Sequence, residues 1–317
     1  MIPFNRTSTK LSKKELKEIK HIIEGGQVVR GKNISLLEKH FEEKFNVKHA
    51  IACSNCTSGL TIALNAIDTR DKTVALPAFT WYSTSYAVKC SGAEPVFCDI
   101  NPDTFFIDEN NIPDECETVI VVDTFGSEAN VKTNRLKTIY DAAHGYGLSN
   151  LGQRGLIEVV SLSFTKVVTG MQGGVILTDC KSLAYRMREA VDKYAKLTEI
   201  NALVALNNVA KYSTVLNERL RVVNMYENLI KIEHDIQYVP YDTNWSVYSI
   251  LLRDKKTRDS VANNLTKNEI GYKIYYTPLD YKQNTADIYR RIIALPIYDG
   301  LSNSDVEFIS KCINEVG

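Results

Sequence analysis

The chain has 317 residues, of which 44% are hydrophobic and 24% charged, which is typical of a globular protein with room for two domains. Basic and acidic residues both number 38, so no excess of positive charge points to nucleic acid or to an anionic membrane surface as a partner. We see no signal-peptide core and no apolar run near the roughly 20 residues of a membrane span. Seven scattered cysteines, an odd number, favour reduced thiols in a cytoplasm over a disulfide framework.

The first half of the chain predicts an α/β domain. Ser12-Lys-Lys-Glu15 is a capping box that opens a helix ending at Gly25-Gly26, and Ser35-Leu-Leu-Glu38 opens a second helix. Short apolar runs then alternate with helical patterns, which is typical of a mainly parallel sheet covered on both faces. The predicted strands are 50–53, 74–76, 95–98, 119–123, 138–140, 159–164 and 175–178, with helices over 60–67 and 83–90 between them.

The second half begins with an almost continuous helical pattern over 182–232, which predicts a long helix bridging two domains. An α+β pattern follows. Its predicted elements are a strand at 247–253, a helix at 255–268, a strand at 272–275 and a last helix opened by Ser302 and running to Cys312. We predict a large domain over 1–225, including the N-terminal helices, and a small C-terminal domain over 226–317.

Lys166 and Asp141 are the two residues that best indicate chemistry. Lys166 lies in a loop that ends at Gly173-Gly174, and Asp141-Ala-Ala-His144 lies 25 residues earlier, at a strand end. A lysine can form a Schiff base with the aldehyde of pyridoxal phosphate, and a carboxylate can pair with the protonated ring nitrogen. His144 could hydrogen-bond the ring hydroxyl, although a lone histidine is more often structural.

A phosphate-binding loop is predicted between the first sheet strand and the helix after it. In Asn55-Cys-Thr57-Ser58-Gly59, free N–H groups at a helix start and two hydroxyls form an anion site, and Ser161 could add a contact. Such pairs usually only cap helices, so the prediction depends on Lys166 and Asp141.

Two further features have competing interpretations. Trp81 follows a strand at the edge where such sheets bind ligands, and it could stack on a flat ring or equally pack in the core. Cys53-Ser-Asn-Cys56 reads as CxxC, but no second pair stands at zinc-ligand spacing. We therefore interpret these cysteines as small loop residues and predict no metal.

The chain resembles the DegT/DnrJ/EryC1/StrS sugar aminotransferases from about Gly26 to Cys312. The resemblance is carried by Ser54-Asn-Cys-Thr-Ser-Gly-Leu60, Pro77-Ala-Phe-Thr-Trp-Tyr-Ser-Thr84, Gly92-Ala-Glu-Pro-Val-Phe-Cys-Asp99, Asp141-Ala-Ala-His144, Ser161…Lys166…Gly173-Gly174 and Ala294-Leu-Pro-Ile-Tyr-Asp-Gly-Leu301. It implies a fold-type-I pyridoxal-phosphate enzyme with a seven-stranded sheet domain and a small C-terminal domain. It also implies a homodimer with shared active sites, and transfer of an amino group from glutamate to a keto sugar carried on dTDP or UDP.

The resemblance also implies a role for each matching residue. Lys166 would be the Schiff-base lysine and the proton carrier, Asp141 the partner of the ring nitrogen, and His144 the contact of the ring oxygen. Trp81 and Ala143 would lie on opposite faces of the ring. The phosphate would be held by Thr57, Ser58 and Ser161.

The chain departs from the family pattern at several positions. Cys56 stands where glycine is usual, Gln172 where glutamate is usual, and Asp280 where histidine is more frequent. Tyr194 and Lys196 occupy the positions of an Asn-x-Arg signature whose asparagine reaches the phosphate in the neighbouring subunit. The stretch after Gly174 is also shorter than is typical, which would change the mouth of the site.

Three alternatives compete with the aminotransferase. A sugar dehydratase of the same family would carry histidine in place of Lys166. A cofactor-binding protein with a sensing or structural role is favoured only by the shorter stretch after Gly174 and by Tyr194 and Lys196. A Rossmann dinucleotide-binding protein would need GxGxxG after an early strand, and the sequence has none there.

Overall fold

The computed structural model describes residues 1–6, 9, 11–131 and 133–316, and these form ten α-helices and ten β-strands. The helices are α1 Lys13–Gly25, α2 Lys32–Phe45, α3 Cys56–Ala66, α4 Tyr82–Cys90, α5 Lys181–Tyr194, α6 Glu199–Val209, α7 Tyr212–Leu229, α8 Lys255–Lys267, α9 Gln283–Arg291 and α10 Asn303–Asn314. The strands are β1 His49–Cys53, β2 Thr73–Pro77, β3 Glu94–Cys98, β4 Thr118–Val122, β5 Lys137–Ala142, β6 Ile157–Ser161, β7 Gly174–Thr178, β8 His234–Ile236, β9 Tyr248–Leu252 and β10 Ile292–Leu295.

The large sheet contains seven strands in the order β1-β7-β6-β5-β4-β2-β3. Strand β7 is antiparallel to its neighbours β1 and β6, and the other neighbouring pairs are parallel. The predicted α/β architecture with a mainly parallel seven-stranded sheet is therefore confirmed, and each of its seven predicted strands is present.

Both faces of this sheet are buried, as the continuous apolar runs predicted. Alternate side chains point to opposite faces, because the side-chain period of a strand is two residues. Ile51, Val159 and Ile176 pack with apolar residues of α3 and α5 on one face. Ala52 and Val175 pack with residues of α2 and α6 on the other.

The parallel strands bring their carboxyl ends to one edge of the sheet. Strands β2, β4, β5 and β6 are mutually parallel, and β1 runs in the same direction because both it and β6 are antiparallel to β7. The segments that follow the ends of β1, β2 and β6 contain Asn55, Trp81 and Lys166, and Asp141 lies near the carboxyl end of β5. The topology therefore gathers the predicted site residues at one edge, where open α/β sheets bind ligands.

A second sheet, in the order β10-β9-β8, is antiparallel throughout. It packs with the C-terminal half of α7 and with α8 and α10, around a core that includes the stacked rings of Tyr226 and Tyr248. The division into domains at residue 225 remains a prediction. Within the described part of the chain, no helix combines the length and apolar character needed to cross a bilayer.

The prediction of one long helix over 182–232 was wrong. The region forms α5, α6 and α7, with a break at Ala195–Lys196 where Ser54 N–H donates to the Ala195 carbonyl at 2.7 Å and Lys196 pairs with Cys53. The Thr198 hydroxyl then caps α6 by accepting from Asn201 N–H at 3.2 Å. The break therefore comes from a tertiary contact and a new cap, although every residue of the region tolerates a helix.

The predicted strand at 272–275 was also wrong, since only the bridge between Lys273 and Ala294 forms there. Strands β8 and β10 and helix α9 were not predicted. Each is short, and β8 and β10 become strands by pairing with β9. The aromatic residues at 275 and 276 instead join a ring cluster with Phe125.

Glu199, at the start of α6, caps the start of α2. Helix α2 has Gly31 as its N-cap and no capping side chain. The buried Glu199 carboxylate accepts from the backbone N–H groups of Gly31, Asn33 and Ile34 at 2.8, 2.7 and 3.1 Å. One side chain thereby satisfies three donors that the helix itself leaves without partners.

We expect Glu199→Ala to lower the free energy of unfolding by about 2–3 kcal/mol, because these donors lose a charged acceptor in a buried place. Glu199→Gln keeps one acceptor oxygen and should lose less. Urea unfolding followed by circular dichroism measures both. Glu189→Ala, which removes an exposed carboxylate paired with Lys193, is the control and should change stability by under about 0.5 kcal/mol. Equal losses for Glu199→Ala and the control would contradict the capping role.

Candidate active site

Asp141 is a buried carboxylate near the carboxyl end of β5. Its Oδ2 accepts from the Thr84 hydroxyl at 2.7 Å, and its Oδ1 accepts from Ala143 N–H at 3.2 Å. The Cys56 thiol lies 3.8 Å from the same Oδ1. Burial raises the pKa of Asp141, against the hydrogen bond from Thr84 and the positive charge of Lys166. Within the described residues, no basic side chain forms an ion pair with this carboxylate.

Lys166 and His144 are in direct contact. The Lys166 Nζ lies 2.8 Å from His144 Nε2. Burial of the amine lowers the pKa of Lys166 to about 8, although electrostatic interactions with Cys56 and Asp141 oppose the shift. Burial and the positive charges of Lys166 and Arg219 lower the pKa of His144 well below its ordinary value, so the imidazole is neutral. An amine with a pKa this close to neutrality is suited to act as a nucleophile and as a base.

The loop that carries Lys166 is closed by backbone contacts. Leu162 N–H donates to the Gly173 carbonyl at 2.9 Å, so the two ends of the loop meet. Asn201 and Asn208 of α6 donate to the carbonyls of Gly170 and Thr169 at 2.7 and 2.8 Å. Lys166 therefore lies on a short loop between β6 and β7 whose backbone is fixed by these hydrogen bonds.

The predicted phosphate loop forms the start of α3. Asn55 is the N-cap, and its side chain accepts from Ser58 N–H at 2.8 Å. Thr57 and Ser58 lie half-buried in the first turn, where backbone N–H groups point out of the helix. Gly174 of β7 packs directly behind this loop, because a Cβ there would lie 2.9 Å from the backbone of Asn55 and Cys56.

Ser161 and the two cysteines border the same loop. Ser161 of β6 pairs with Gly174 of β7, and Gly174 pairs on its other side with Cys53 of β1. Strand β7 therefore lies between Ser161 and the loop that follows β1. Cys53 is a buried strand residue and Cys56 the first residue of α3, which corrects their interpretation as loop residues. Both are free thiols, and burial raises the pKa of each, to about 12 for Cys53, so neither is a reactive thiol.

Trp81 lies at the rim of the site. It precedes α4, is 50% exposed, and contacts the rings of Tyr82, Tyr275 and Tyr276 at centroid distances of 5.0, 6.3 and 6.3 Å. An indole packed in the core would be covered, so the exposure favours the interpretation in which one ring face is available to a ligand. Ala143 lies between Asp141 and His144, and its methyl group takes little space there.

The model of the DegT/DnrJ/EryC1/StrS aminotransferase family matches residues 9–314. The chain belongs to this family. Its members' chemistry makes the chain a pyridoxal-phosphate-dependent aminotransferase, with pyridoxal phosphate as its cofactor.

Three solved structures show the same fold. A DegT/DnrJ/EryC1/StrS aminotransferase from Brucella abortus is 25% identical, with a TM-score of 0.84, covering 95% of this chain and 94% of its own. DesI, solved in the presence of its TDP-sugar product, is 21% identical with a TM-score of 0.89, covering 99% and 93%. NtdA from Bacillus subtilis with bound cofactor PMP is 21% identical with a TM-score of 0.88, covering 99% and 85%.

The site of this aminotransferase fits pyridoxal phosphate on its own geometry. The buried carboxylate of Asp141 is a natural partner for a protonated ring nitrogen, and the Lys166 amine is close enough to interact with it electrostatically. The start of α3 offers N–H groups and hydroxyls for a phosphate. The structure thus places Asp141, Ala143, His144 and Lys166 together, with Thr57, Ser58 and Ser161 at the phosphate loop and Trp81 at the rim. Their individual roles remain predictions.

Three residues that contact the site or hold a residue that contacts it were not predicted. Thr84, in α4, donates to Asp141, and its hydroxyl lies 3.2 Å from that of Thr80. Its position four residues after Thr80 is the sequence signal that could have identified it. Ser246 and Arg219, described below, gave no sequence signal, because they come from distant parts of the chain.

The departures near Lys196 also border the phosphate loop. Lys196 pairs with Cys53 at the end of β1, and Tyr194, at the end of α5, is exposed. Both therefore flank the loop from outside. Asp280 is half-exposed and forms an ion pair with Lys282 at 2.9 Å.

Proposed function

We propose that this aminotransferase moves an amino group from glutamate to the keto group of a deoxy sugar linked to dTDP or UDP. When bound, pyridoxal phosphate supplies an aldehyde that takes up an amine and a ring that accepts electrons. Lys166 would be the protein amine at that aldehyde and would move the proton at the reacting carbon. The observation that carries the proposal is the Lys166 amine, with its lowered pKa, close to the buried carboxylate of Asp141.

The remaining site residues would hold and orient the cofactor. Asp141 would keep the ring nitrogen protonated, since a buried carboxylate favours a neighbouring cation. His144 would contact the ring oxygen, and Trp81 and Ala143 would lie against the two ring faces. Thr57, Ser58 and Ser161 would bind the phosphate at the positive end of α3.

Two observations support a nucleotide-linked sugar as the substrate: a protein of the same fold, and an open rim beside Trp81. DesI, which shares the fold, was solved with a TDP-sugar product. In this chain the rim beside Trp81 is open and lined by aromatic rings, which suit a base or a sugar ring. Lys166 argues against the dehydratase alternative, because a dehydratase of the same family would carry histidine at that position.

We also propose a homodimer with shared active sites, in the cytoplasm. Helix α1 is amphipathic, yet none of its residues is buried, and Leu16 and Ile23 are 54% and 59% exposed. Near the site, Phe164 and Met171 are exposed as well. A second copy would cover such apolar surface. All seven cysteines are free, which suits a reducing compartment.

An absorbance titration tests the proposed function. The purified chain with pyridoxal phosphate should show a yellow band that bleaches on adding glutamate and returns on adding a dTDP- or UDP-linked keto sugar. Light scattering on the same sample should give twice the mass of one chain. Lys193→Ala, which changes an exposed lysine on α5, is the control and should behave as wild type.

Any different result of this titration contradicts one particular part of the proposal. A yellow band that glutamate leaves unchanged would contradict glutamate as the donor, and inertness towards other amino acids as well would favour a cofactor-binding protein with little turnover. Bleaching that no nucleotide-linked keto sugar reverses would overturn the acceptor class alone.

A further inference from the structure

A third residue extends the contact between Lys166 and His144. The Nδ1 of His144 lies 2.6 Å from the hydroxyl of Ser246, which is 102 residues away in the chain. Ser246 is 6% exposed and belongs to the segment between β8 and β9. The two ring nitrogens of His144 are thus both engaged, Nε2 by Lys166 and Nδ1 by Ser246.

The segment that carries Ser246 is fixed from three directions. Arg219 of α7 donates from Nη1 to the carbonyls of Trp245 and Ser246 at 2.8 and 3.2 Å. The Asn244 side chain donates to the carbonyls of His144 and Tyr146. The N–H groups of Asn244 and Val247 donate to the carbonyls of Gly126 and Phe125 at 3.0 and 3.2 Å. The Ser246 hydroxyl therefore has a defined position relative to the His144 loop.

Arg219 is dedicated to this segment. It is almost completely buried, and its charge has no ion-pair partner within the described residues, since both Nη1 contacts are to carbonyls. Burying a guanidinium is costly unless hydrogen bonds compensate it, and the Nη1 group obtains them from the two backbone carbonyls. What it holds is the backbone of Trp245 and Ser246.

The hydrogen-bond chemistry then fixes the tautomer of His144. A neutral imidazole has one donor nitrogen and one acceptor nitrogen, and the partner of one nitrogen decides the state of the other. A protonated Lys166 amine has only donors, so Nε2 must accept from it. Nδ1 must then carry the hydrogen and donate it, and the Ser246 oxygen is the acceptor in reach.

We propose that Ser246 is a positioning residue that holds His144 in its Nδ1–H tautomer, with the Nε2 lone pair on Lys166, and that Arg219 holds Ser246 in place. The inference rests on the proposed role of Lys166 as the reacting amine. It assigns to a residue of the β8–β9 segment a part in setting the protonation of the amine. Without the hydroxyl, the Nδ1–H loses the acceptor that it has in the wild type, which favours the other tautomer, whose Nε2–H faces the ammonium.

The expected consequence is a lower pKa of Lys166 in Ser246→Ala, by about half a unit to one unit. The other charged or titratable groups that act on this pair are Cys56 from α3, Asp141 from β5 and Arg219 from α7, and Ser246→Ala changes none of them.

Competitive acetylation measures this pKa in the full chain without cofactor. Acetic anhydride is applied at pH values on both sides of 8, and the modification of Lys166 is read by mass spectrometry of its peptide. Ser246→Thr keeps the hydroxyl and should restore the wild-type pKa. Ser249→Ala removes an equally buried serine, 7% exposed on β9, and should leave the pKa unchanged. An unchanged pKa in folded Ser246→Ala would overturn the proposal.

A second measurement needs no variant of Ser246. Nitrogen-15 NMR of labelled histidines distinguishes the two tautomers, and His144→Gln assigns the signal among the five histidines. The Nδ1–H tautomer is expected, and the Nε2–H tautomer would overturn the proposal even if Ser246→Ala does not fold. Neither readout depends on amine transfer. Failure of the proposed role of Lys166 would show separately, because Lys166→Ala would then keep its amine-transfer activity.

Discussion

Lys166→Ala is expected to abolish amine transfer while leaving the protein folded. Its amine would be both the attachment point of the cofactor and the base, and loss of a general base alone lowers rates by about 10²–10⁴-fold. We therefore expect kcat to fall by at least about 10⁴-fold. Steady-state transfer from glutamate to a nucleotide-linked keto sugar measures it.

The fold should tolerate this change. The Lys166 amine makes a side-chain hydrogen bond with His144. Its burial disfavours the charged form, as its lowered pKa shows, so the amine adds little to stability. The free energy of unfolding should therefore fall by no more than about 1 kcal/mol. Lys166→Arg keeps a cation but removes the primary amine and should be equally inactive. Full activity in Lys166→Ala would mean that another amine reacts.

The large sheet could be predicted from sequence because its signals are local. Apolar runs such as 119–123 and 175–178 are buried on both faces, so burial and β propensity agree and each run becomes a strand. The predicted site residues follow the ends of these strands. Since parallel strands end at one edge, predicting the sheet was enough to bring Asp141 and Lys166 together.

What could not be predicted depends on contacts between distant segments. The break between α5 and α6 is made by Ser54 and Cys53, and no residue within 182–232 requires it. Ser246 likewise lies in an irregular segment, and only the three-dimensional position of His144 gives its hydroxyl a partner. Local propensity carries no information on such pairs.

Electrostatic coupling links the stability of the sheet to the site. Arg154, before β6, makes two parallel hydrogen bonds with Asp123, at 2.7 and 2.8 Å, and also binds Glu158 at 2.6 Å. Its guanidinium lies 4.3 Å from the ring centre of Tyr140. Burial disfavours the charge of Arg154, but the charges of Asp123 and Glu158 outweigh this and raise its pKa. The negative charge of Asp123 in turn raises the pKa of Asp141.

Arg154→Met is expected to lower the free energy of unfolding by about 3–5 kcal/mol, because it leaves two buried carboxylates without a counter-charge. The matched control is Arg186→Met. Arg186 makes the same paired contact with Asp68, at 3.1 and 2.7 Å, but its side chain is 48% exposed against 8% for Arg154. Water and salt screen that pair, so its loss should cost under about 1 kcal/mol. Urea unfolding of both variants at neutral pH measures the difference.

A third variant separates the lost charge from lost packing. Adding Asp123→Asn and Glu158→Gln to Arg154→Met removes both carboxylates with little change in shape, and it should recover most of the lost stability. If the triple variant is no more stable than Arg154→Met, the loss comes from packing of the arginine against Tyr140. If Arg154→Met and Arg186→Met lose equally little, the two buried carboxylates do not depend on the counter-charge of Arg154.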